Sequence, residues 1–263
     1  MIAENVERFD GLAETYALHR PDYPVGAFRD LLSACGSDRM LAVDVGAGPG
    51  TSTRPLRAAL PEGWLITAVE PGRDMRRVLA RSLRDEPRVQ VADGLAEALP
   101  LPDGSAGLIV ACTAVHWFDR RAFLAEARRV LAPGGVLAVL RNRRAASPLI
   151  GALNLWVSET SRGIGDFPAV TAGMEPSVRE LSALPGFKTA RSRTYRWREV
   201  RDARALVDLY LTRAVVWTLV RRIGLGPVMA ELTAICEAHL GAGDSATAAS
   251  LDWETTVKWT QRR

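Results

Sequence analysis

The sequence predicts an α/β protein with a doubly wound, mostly parallel seven-stranded sheet and an added helical cap. Short β-rich runs alternate with amphipathic helical patterns through the first half of the chain, which is typical of repeated βαβ units. The 263 residues are 48% hydrophobic, so the chain is long and apolar enough to bury a full core. We therefore expect a single domain spanning residues 1–263.

The core of the predicted sheet comes from the first half of the chain. Its predicted strands are Leu41–Val45, Leu65–Val69, Arg88–Val91, Gly107–Cys112 and Val136–Leu140. The helices predicted between them are Thr51–Leu60, Arg73–Leu83 and Arg120–Leu131. Strands interleaved with helices of this length form a parallel sheet that is covered on both faces. We expect residues 37–145 to form the cofactor-binding core.

Segments on either side of this core complete the predicted domain. Residues 1–36 carry two helices, Ile2–Ala17 and Val25–Ala34, which the prolines at 21 and 24 separate. Residues 146–240 form the predicted cap with a sixth strand, and residues 241–263 carry the last strand. The expected elements are a helix at Leu149–Glu159, a Gly/Pro-broken loop at Arg162–Pro176, a helix at Ser177–Leu184, a strand at Phe187–Trp197, helices at Ala203–Val220 and Gly226–Leu240, a turn at Gly241–Asp244 and the closing segment Ala246–Thr260.

Composition limits the classes of function. The three cysteines (Cys35, Cys112 and Cys236) are far apart, which favours neither a disulfide framework nor a metal site and fits a reducing cytoplasm. No apolar run is long enough to span a bilayer, so we expect no membrane partner. The net charge is +4, but arginine alternates with acidic residues through most of the chain. We therefore expect no nucleic-acid partner, since that would need a basic face.

A glycine-rich turn is the most informative motif. The strand Leu41–Val45 runs directly into Gly46, Gly48 and Gly50, and Glu70 ends the next strand, where a carboxylate can bind ribose hydroxyls. A dinucleotide site is expected to show GxGxxG, whereas this turn is GxGxG with Asp44 beside it. A carboxylate there would repel a pyrophosphate but suits the cationic amino-acid end of S-adenosylmethionine (SAM). An NAD-dependent oxidoreductase is thus disfavoured but remains an alternative.

Several motifs in order resemble the class I SAM-dependent methyltransferases, a Rossmann-like family, and in particular the small-molecule subgroup of trans-aconitate methyltransferase-like (type 11) proteins. The similarity runs from about residue 5 to 145 and weakly beyond. The motifs that carry it are YALHRPDYP at 16–24, VDVGAGPG at 43–50, VEP at 69–71, VADG at 91–94, AVHWFD at 114–119, LAPGG at 131–135 and LRNRR at 140–144.

The resemblance implies SAM as cofactor, S-adenosylhomocysteine (SAH) as product, and a set of site residues. Those expected at the cofactor are Tyr16, Arg20, Asp44, Gly46, Ala47, Gly48, Gly50, Thr51, Glu70, Pro71, Met75, Asp93, Gly94, Leu95 and Thr113. Those expected at the substrate are Tyr23, His116, Trp117 and Asn142, with His116 as the catalytic candidate. His116 is the one titratable group directly after the fourth strand, so it is either a general base or part of the pocket wall.

Three other positions carry open alternatives. Asp44 either faces the cofactor or orients the loop by accepting its backbone N–H groups, and Asp93 either contacts adenine or caps the following turn. For Arg213, together with Arg221 and Arg222, a solvated helix face is favoured over a grip on a substrate carboxylate.

The predicted function is SAM-dependent transfer of a methyl group to an O, N or C nucleophile of a small molecule, with secondary metabolism as the expected setting. A cytoplasmic monomer or homodimer is expected. The alternative from another class is a protein that binds SAM or SAH without methyl transfer, as a structural partner or a pericyclic catalyst. RNA methylation is a further alternative, and it requires salt-dependent RNA binding.

Overall fold

The computed structural model describes residues 11–162, 175–240 and 248–263. The first part of the predicted helix Ile2–Ala17, most of the predicted loop Arg162–Pro176 and the predicted turn Gly241–Asp244 lie outside the described residues. The strands are β1 (Leu41–Val45), β2 (Leu65–Val69), β3 (Val89–Ala92), β4 (Ala106–Cys112), β5 (Leu131–Arg144), β6 (Arg191–Asp202) and β7 (Ala248–Gln261). The helices are α1 (Ala13–His19), α2 (Val25–Ser33), α3 (Thr53–Ala59), α4 (Arg73–Ser82), α5 (Arg120–Val130), α6 (Pro148–Thr160), α7 (Val178–Ser182), α8 (Ala203–Leu211), α9 (Ala214–Ile223) and α10 (Leu225–Leu240).

The sheet has the strand order β3-β2-β1-β4-β5-β7-β6 among the described residues. Strands β1 to β5 pair in parallel, whereas β7 is antiparallel to both β5 and β6. This confirms the predicted α/β class with a mostly parallel seven-stranded sheet. From β1 the chain adds β2 and β3 toward one edge of the sheet, and then returns to the other side of β1 to add β4 and β5. The carboxyl ends of β1 and β4 therefore flank a topological switch point, where open α/β sheets form their ligand crevice.

Burial on both faces explains why the central strands lack polar alternation. Every residue of β4 is buried, as are the last four of β1. Helix α5 covers one face with Phe123, Ala127 and Val130, and Asp119 caps its start by accepting from two backbone N–H groups. Helices α2 and α3 cover the other face with Phe28 and Leu56. The two layers hold the carboxyl ends of β1 and β4 in place.

Strands β5 and β6 differ from their predicted bounds. The predicted Val136–Leu140 is extended to Arg144, and the predicted Phe187–Trp197 is shifted to Arg191–Asp202. The reason is their shared partner, because β7 pairs with β5 as far as Arg144 and with β6 as far as Asp202. Backbone pairing with a long antiparallel strand thus overrides the local hydrophobic pattern.

The predicted helix Ala203–Val220 is in fact two helices, α8 and α9. Thr212 ends α8 and its buried hydroxyl donates to the carbonyl of Leu209 at 2.6 Å, while Arg213 adopts an extended conformation. Helices α6, α8, α9 and α10 share a separate apolar cluster with the far ends of β6 and β7, where Trp197 and Trp253 stack at 5.3 Å. Within the described ranges, no helix is long and apolar enough to cross a membrane.

Candidate active site

A cavity opens at the switch point between β1 and β4. It holds about 870 Å³ of empty space, a figure that includes open solvent at its mouth. Its lining includes most of the residues that the sequence predicts for the cofactor. They are Tyr16, Gly46, Ala47, Gly48, Thr51, Glu70, Pro71, Met75, Leu95 and Thr113, together with Trp117 from the predicted substrate group.

The glycines of the first loop have different roles. All three have positive φ, +68° at Gly46, +56° at Gly48 and +103° at Gly50. A Cβ at Gly46 would lie 2.8 Å from Ala114 Cβ, so this position also needs the smallest residue for packing. At Gly48 no atom of the residues that the structure describes lies within 4 Å of such a Cβ, although the residue lines the cavity. Gly48 therefore leaves open space where a ligand can approach the backbone.

The carboxylate of Glu70 connects the first loop to the end of β2. It accepts hydrogen bonds of 2.8 Å from the backbone N–H groups of Gly48 and of Gly72. Burial raises the pKa of Glu70, although these two hydrogen bonds and the charge of Arg76 oppose that rise. Each carboxylate oxygen still has a lone pair with which to accept from a ligand hydroxyl.

Asp44 lies fully buried beneath the same loop. Its Oδ2 accepts from the hydroxyls of Ser52 and Thr53, each at 2.7 Å. One alternative expected Asp44 to orient the loop by accepting hydrogen bonds from its backbone N–H groups. Asp44 does accept hydrogen bonds beneath the loop, but from side-chain hydroxyls. Oδ1 has no hydrogen-bond partner among the described residues, and burial raises the pKa of Asp44 to about 6. A buried acceptor without a donor favours a cationic group nearby.

The residue after β4 has a strained backbone. Thr113 has a φ of 49°, which is unfavourable for a β-branched residue, and it lines the cavity. Its N–H donates to the carbonyl of Leu140 at 2.8 Å, and its hydroxyl lies 2.6 Å from that of Tyr23. Tyr23 is itself buried and is outside the cavity lining. In this structure its hydroxyl supports Thr113, and the predicted substrate contact of Tyr23 stays a prediction.

His116 and Trp117 follow in a short 3₁₀ helix, with their ring centroids 4.8 Å apart. Trp117 lines the cavity and His116 does not. Burial, followed by the positive charges of Arg141 and Arg20, lowers the pKa of His116 to about 4. The imidazole is therefore neutral at pH 7 and is a weak proton acceptor.

Some predicted residues lie away from the cavity. Asp93 is on the surface, where it pairs with Arg76 at 2.9 Å instead of capping a turn or facing a ligand. Asn142 donates to the Asp22 carbonyl at 3.4 Å and accepts from Thr255 Oγ1 at 2.6 Å, so it joins two strands and the N-terminal segment. The predicted residues that do not line the cavity are Arg20, Tyr23, Asp44, Gly50, Asp93, Gly94, His116 and Asn142.

The cavity also includes residues that the sequence analysis did not select. They are Ser52, Ala96, Glu97, Cys112, Ala114 and Phe118. Each is close in sequence to a selected residue, so their places directly after β1, β3 and β4 are the signal that could have identified them. With Glu70 and Glu97 on its wall and Asp44 below, the cavity is acidic and suits a ligand that carries positive charge and hydroxyl groups.

The N-terminal segment lies against one wall of the cavity. Gly11 N–H donates to Asp74 on α4 at 3.1 Å, and Ala13 packs with Met75, which lines the cavity. Tyr16 of α1 also lines it, and the guanidinium carbon of Arg20 lies 5.1 Å from the centre of the Tyr16 ring. Helix α1 thus brings Arg20 to the edge of the site without placing it in the lining.

Comparison with known proteins places this geometry among enzymes. Residues 43–139, from β1 into β5, match a family described as "Methyltransferase domain". An uncharacterized methyltransferase of Mycobacterium tuberculosis is 33% identical over 207 residues, which cover 78% of this chain and 76% of that protein.

Solved structures show the same fold. A candidate type II methyltransferase from Anaeromyxobacter dehalogenans is 28% identical with a TM-score of 0.69, covering 91% of this chain and 97% of that one. A phosphoethanolamine N-methyltransferase from Haemonchus contortus, solved with phosphomonomethylethanolamine and SAH, has a TM-score of 0.54 at 14% identity. That match covers 100% of this chain and 60% of that one.

Proposed function

Because this chain belongs to the methyltransferase domain family, we propose that it transfers a methyl group from SAM to a small-molecule nucleophile. The observation that carries the proposal is the acidic cavity at the switch point. Glu70 on its wall accepts from Gly48 N–H, and below it Asp44 Oδ1 has no donor within the described part of the chain. When bound, SAM supplies a methyl group that its sulfonium activates.

The cavity residues suit the parts of this cofactor. We assign the ribose hydroxyls to Glu70, which keeps free lone pairs at the end of β2. The amino-acid end belongs to the loop Gly46–Gly48 above the carboxylate of Asp44. The apolar Met75 and Leu95 provide the surface for adenine, and we assign it to them because Asp93 is engaged with Arg76 on the surface.

Alignment of the two reactants is the main catalytic task of this chain. Trp117 and the strained Thr113 line the cavity, and we assign them the role of orienting the acceptor. Near-attack alignment can contribute roughly 7–11 kcal/mol to lowering a barrier. A histidine with a pKa of about 4 has little driving force to remove a proton at pH 7, so we assign His116 to the wall behind Trp117 rather than to general base catalysis.

The acceptor is proposed to be small because one helix of the predicted cap reaches the wall of the cavity. Helices α6 and α8–α10 have their own apolar cluster, and α8 packs against α1, which borders the cavity through Tyr16. We propose that they form the predicted substrate cap of residues 146–240.

Calorimetry with SAM, SAH and NAD on the purified chain tests the cofactor. We expect both SAM and SAH to bind and NAD not to bind, and a ligand at one hundred times its Kd to stabilise the fold by about 2.7 kcal/mol. Binding of NAD without SAH would contradict the proposal. Methyl transfer is then measured with radiolabelled SAM and a metabolite extract, and SAH binding without any labelled product would favour the non-catalytic alternative.

A further inference from the structure

Three arginines from distant parts of the chain converge beside the candidate active site. We call Arg20, Arg144 and Arg213 the arginine cluster. The guanidinium carbons of Arg144 and Arg213 lie 4.5 and 5.3 Å from the centre of the same Tyr210 ring. Arg20 is close enough to both for its charge to lower their pKa values. The cluster therefore joins the end of β5, the break between α8 and α9, and the end of α1.

The cluster lacks negative partners among the described residues. Arg144 Nη1 and Arg20 Nε are buried without any hydrogen-bond acceptor there. Arg213 donates to the neutral Asn154 Oδ1 at 2.8 Å. A buried donor without an acceptor is costly, and the cost is larger for a charged group.

Nearby carboxylates are engaged with other cations. Glu199 lies 2.9 Å from Arg201 and also accepts from Trp253 Nε1 at 2.8 Å. Glu175 lies 3.7 Å from Arg141 and 4.0 Å from Lys258. The positive charge of the cluster is therefore not balanced by these two acids.

Burial and mutual repulsion act on the cluster in the same direction. Burial lowers the pKa of Arg144 to about 10, and the charges of Arg213 and Arg20 contribute, while Tyr210 and Glu199 oppose them. Burial also lowers the pKa of Arg213, and Arg20 contributes. Both groups remain charged at neutral pH, so the folded chain keeps like charges together in a partly buried place. An anion between them would relieve both the repulsion and the lost solvation.

We propose that Arg20, Arg144 and Arg213 form a subsite that binds a carboxylate or phosphate group of the methyl acceptor. Guanidinium groups bind both anions through paired N–H donors in a planar fork. The subsite borders the cavity through Arg20, whose guanidinium lies over the ring of Tyr16 in the cavity wall. The charge of Arg20 also lowers the pKa of His116, the neighbour of Trp117. A methyl acceptor whose anionic group is bound there would extend the rest of the molecule toward Trp117. This inference rests on the proposed function for the identity of the ligand, whereas anion binding can be measured without it.

The structure also corrects the favoured interpretation of Arg213. The sequence pattern favours a solvated helix face for Arg213, Arg221 and Arg222 together, and the last two are indeed exposed on α9. Arg213 instead precedes that helix in an extended conformation and turns onto Tyr210. The contrast provides a matched control, because Arg222 carries the same charge on the helix that follows Arg213 but is outside the cluster.

The test is titration of the full chain with inorganic phosphate and, separately, with succinate, at constant ionic strength set by chloride. Calorimetry and thermal unfolding are recorded for wild type, Arg144→Met, Arg213→Met and Arg222→Met. We expect saturable binding of at least one anion to wild type. Each lost charge-assisted contact should weaken it by about 10- to 100-fold in the first two variants, and Arg222→Met should match wild type. The preferred anion then distinguishes a carboxylate-bearing acceptor from a phosphorylated one.

Two outcomes overturn the subsite: no saturable anion binding to wild type, or equal binding by wild type and Arg144→Met. Arg144→Lys keeps the positive charge but lacks the planar guanidinium, so we expect an anion affinity between those of wild type and Arg144→Met. This variant also keeps the test valid if Arg144→Met fails to fold. SAH binding is measured on the same samples. Wild type that binds SAH but no anion overturns the subsite alone. Wild type that fails to bind SAH overturns the proposed function, and the anion titration still tests the subsite.

Discussion

The backbone N–H of Gly48 donates a 2.8 Å hydrogen bond to Glu70, so the loop after β1 is fastened to the end of the neighbouring strand β2. The same carboxylate accepts from Gly72 at 2.8 Å. One buried side chain thus fixes two turns, and both Gly48 and Glu70 line the candidate cofactor cavity.

Replacing Glu70 by Gln tests this relationship. In glutamine an amide NH₂ group replaces one carboxylate oxygen and faces a backbone N–H. One charge-assisted hydrogen bond is lost, and two donors then point at each other. We expect SAH affinity to fall by about 10- to 100-fold in calorimetry. Glu62→Gln, which removes an exposed carboxylate far from the cavity, should bind as wild type does. Unchanged affinity in Glu70→Gln would contradict the assigned ribose contact.

A pair of alanine variants separates ligand contact from backbone strain. Gly48 and Gly104 have φ values of +56° and +60°, and in neither case does an atom from the described ranges lie within 4 Å of an added Cβ. Both variants should therefore lose about 1–2 kcal/mol of folding stability and a few degrees in Tm. Only Gly48 lines the cavity, so we expect Gly48→Ala to weaken SAH binding at least about tenfold. Equal SAH affinities in the two variants would place the cofactor elsewhere.

Asp44 gives the fold a specific pH dependence. Its pKa is raised from 3.8 to about 6, so the folded state holds this proton more tightly than the unfolded state does. The stability from the protonated form is complete below about pH 4 and is lost as the pH rises through about 6, a change of about 3 kcal/mol. Urea unfolding at pH 4.5 and 7.5 should show about 2 kcal/mol of this loss in wild type and not in Asp44→Asn. Parallel pH trends in the two proteins would show that Asp44 is not the titrating group.

His116 should titrate far below an ordinary histidine. Proton NMR of its ring, assigned by comparison with His116→Asn, should give a midpoint pKa near 4. Because the unfolded state takes up this proton first, the stability contributed by neutral His116 is lost as the pH falls from about 6.5 toward 4. Arg141→Met removes a neighbouring charge and should raise the midpoint, while Arg143→Met, at an exposed position, should leave it in place.

The same histidine makes a binding prediction. His116 does not line the cavity, so His116→Asn should keep SAH affinity within about twofold of wild type. Calorimetry measures this directly, with Gly48→Ala as the variant expected to lose affinity. A large loss in His116→Asn would mean that the imidazole contacts the cofactor.

Local sequence pattern was sufficient for the parallel half of the fold. The predicted bounds of β1 and β2 agree with the structure because buried parallel strands are short, apolar and ended by turn residues. The same reasoning failed at β5, β6 and the helix from Ala203. Their extents depend on pairing with β7 and on a buried threonine, which no local pattern reveals.

The sequence by itself determined the parallel core, the glycine loop after β1 and the place of Glu70 directly after β2, because each of these is a strand with the turn that follows it. Tertiary structure alone decided that Asp93 faces solvent, that Trp117 rather than His116 lines the cavity, and that Arg144 and Arg213 meet on Tyr210. The physical reason is that side-chain direction and charge balance depend on neighbours from distant segments. Such neighbours come together only when the long β7 and the helices around it pack against the core.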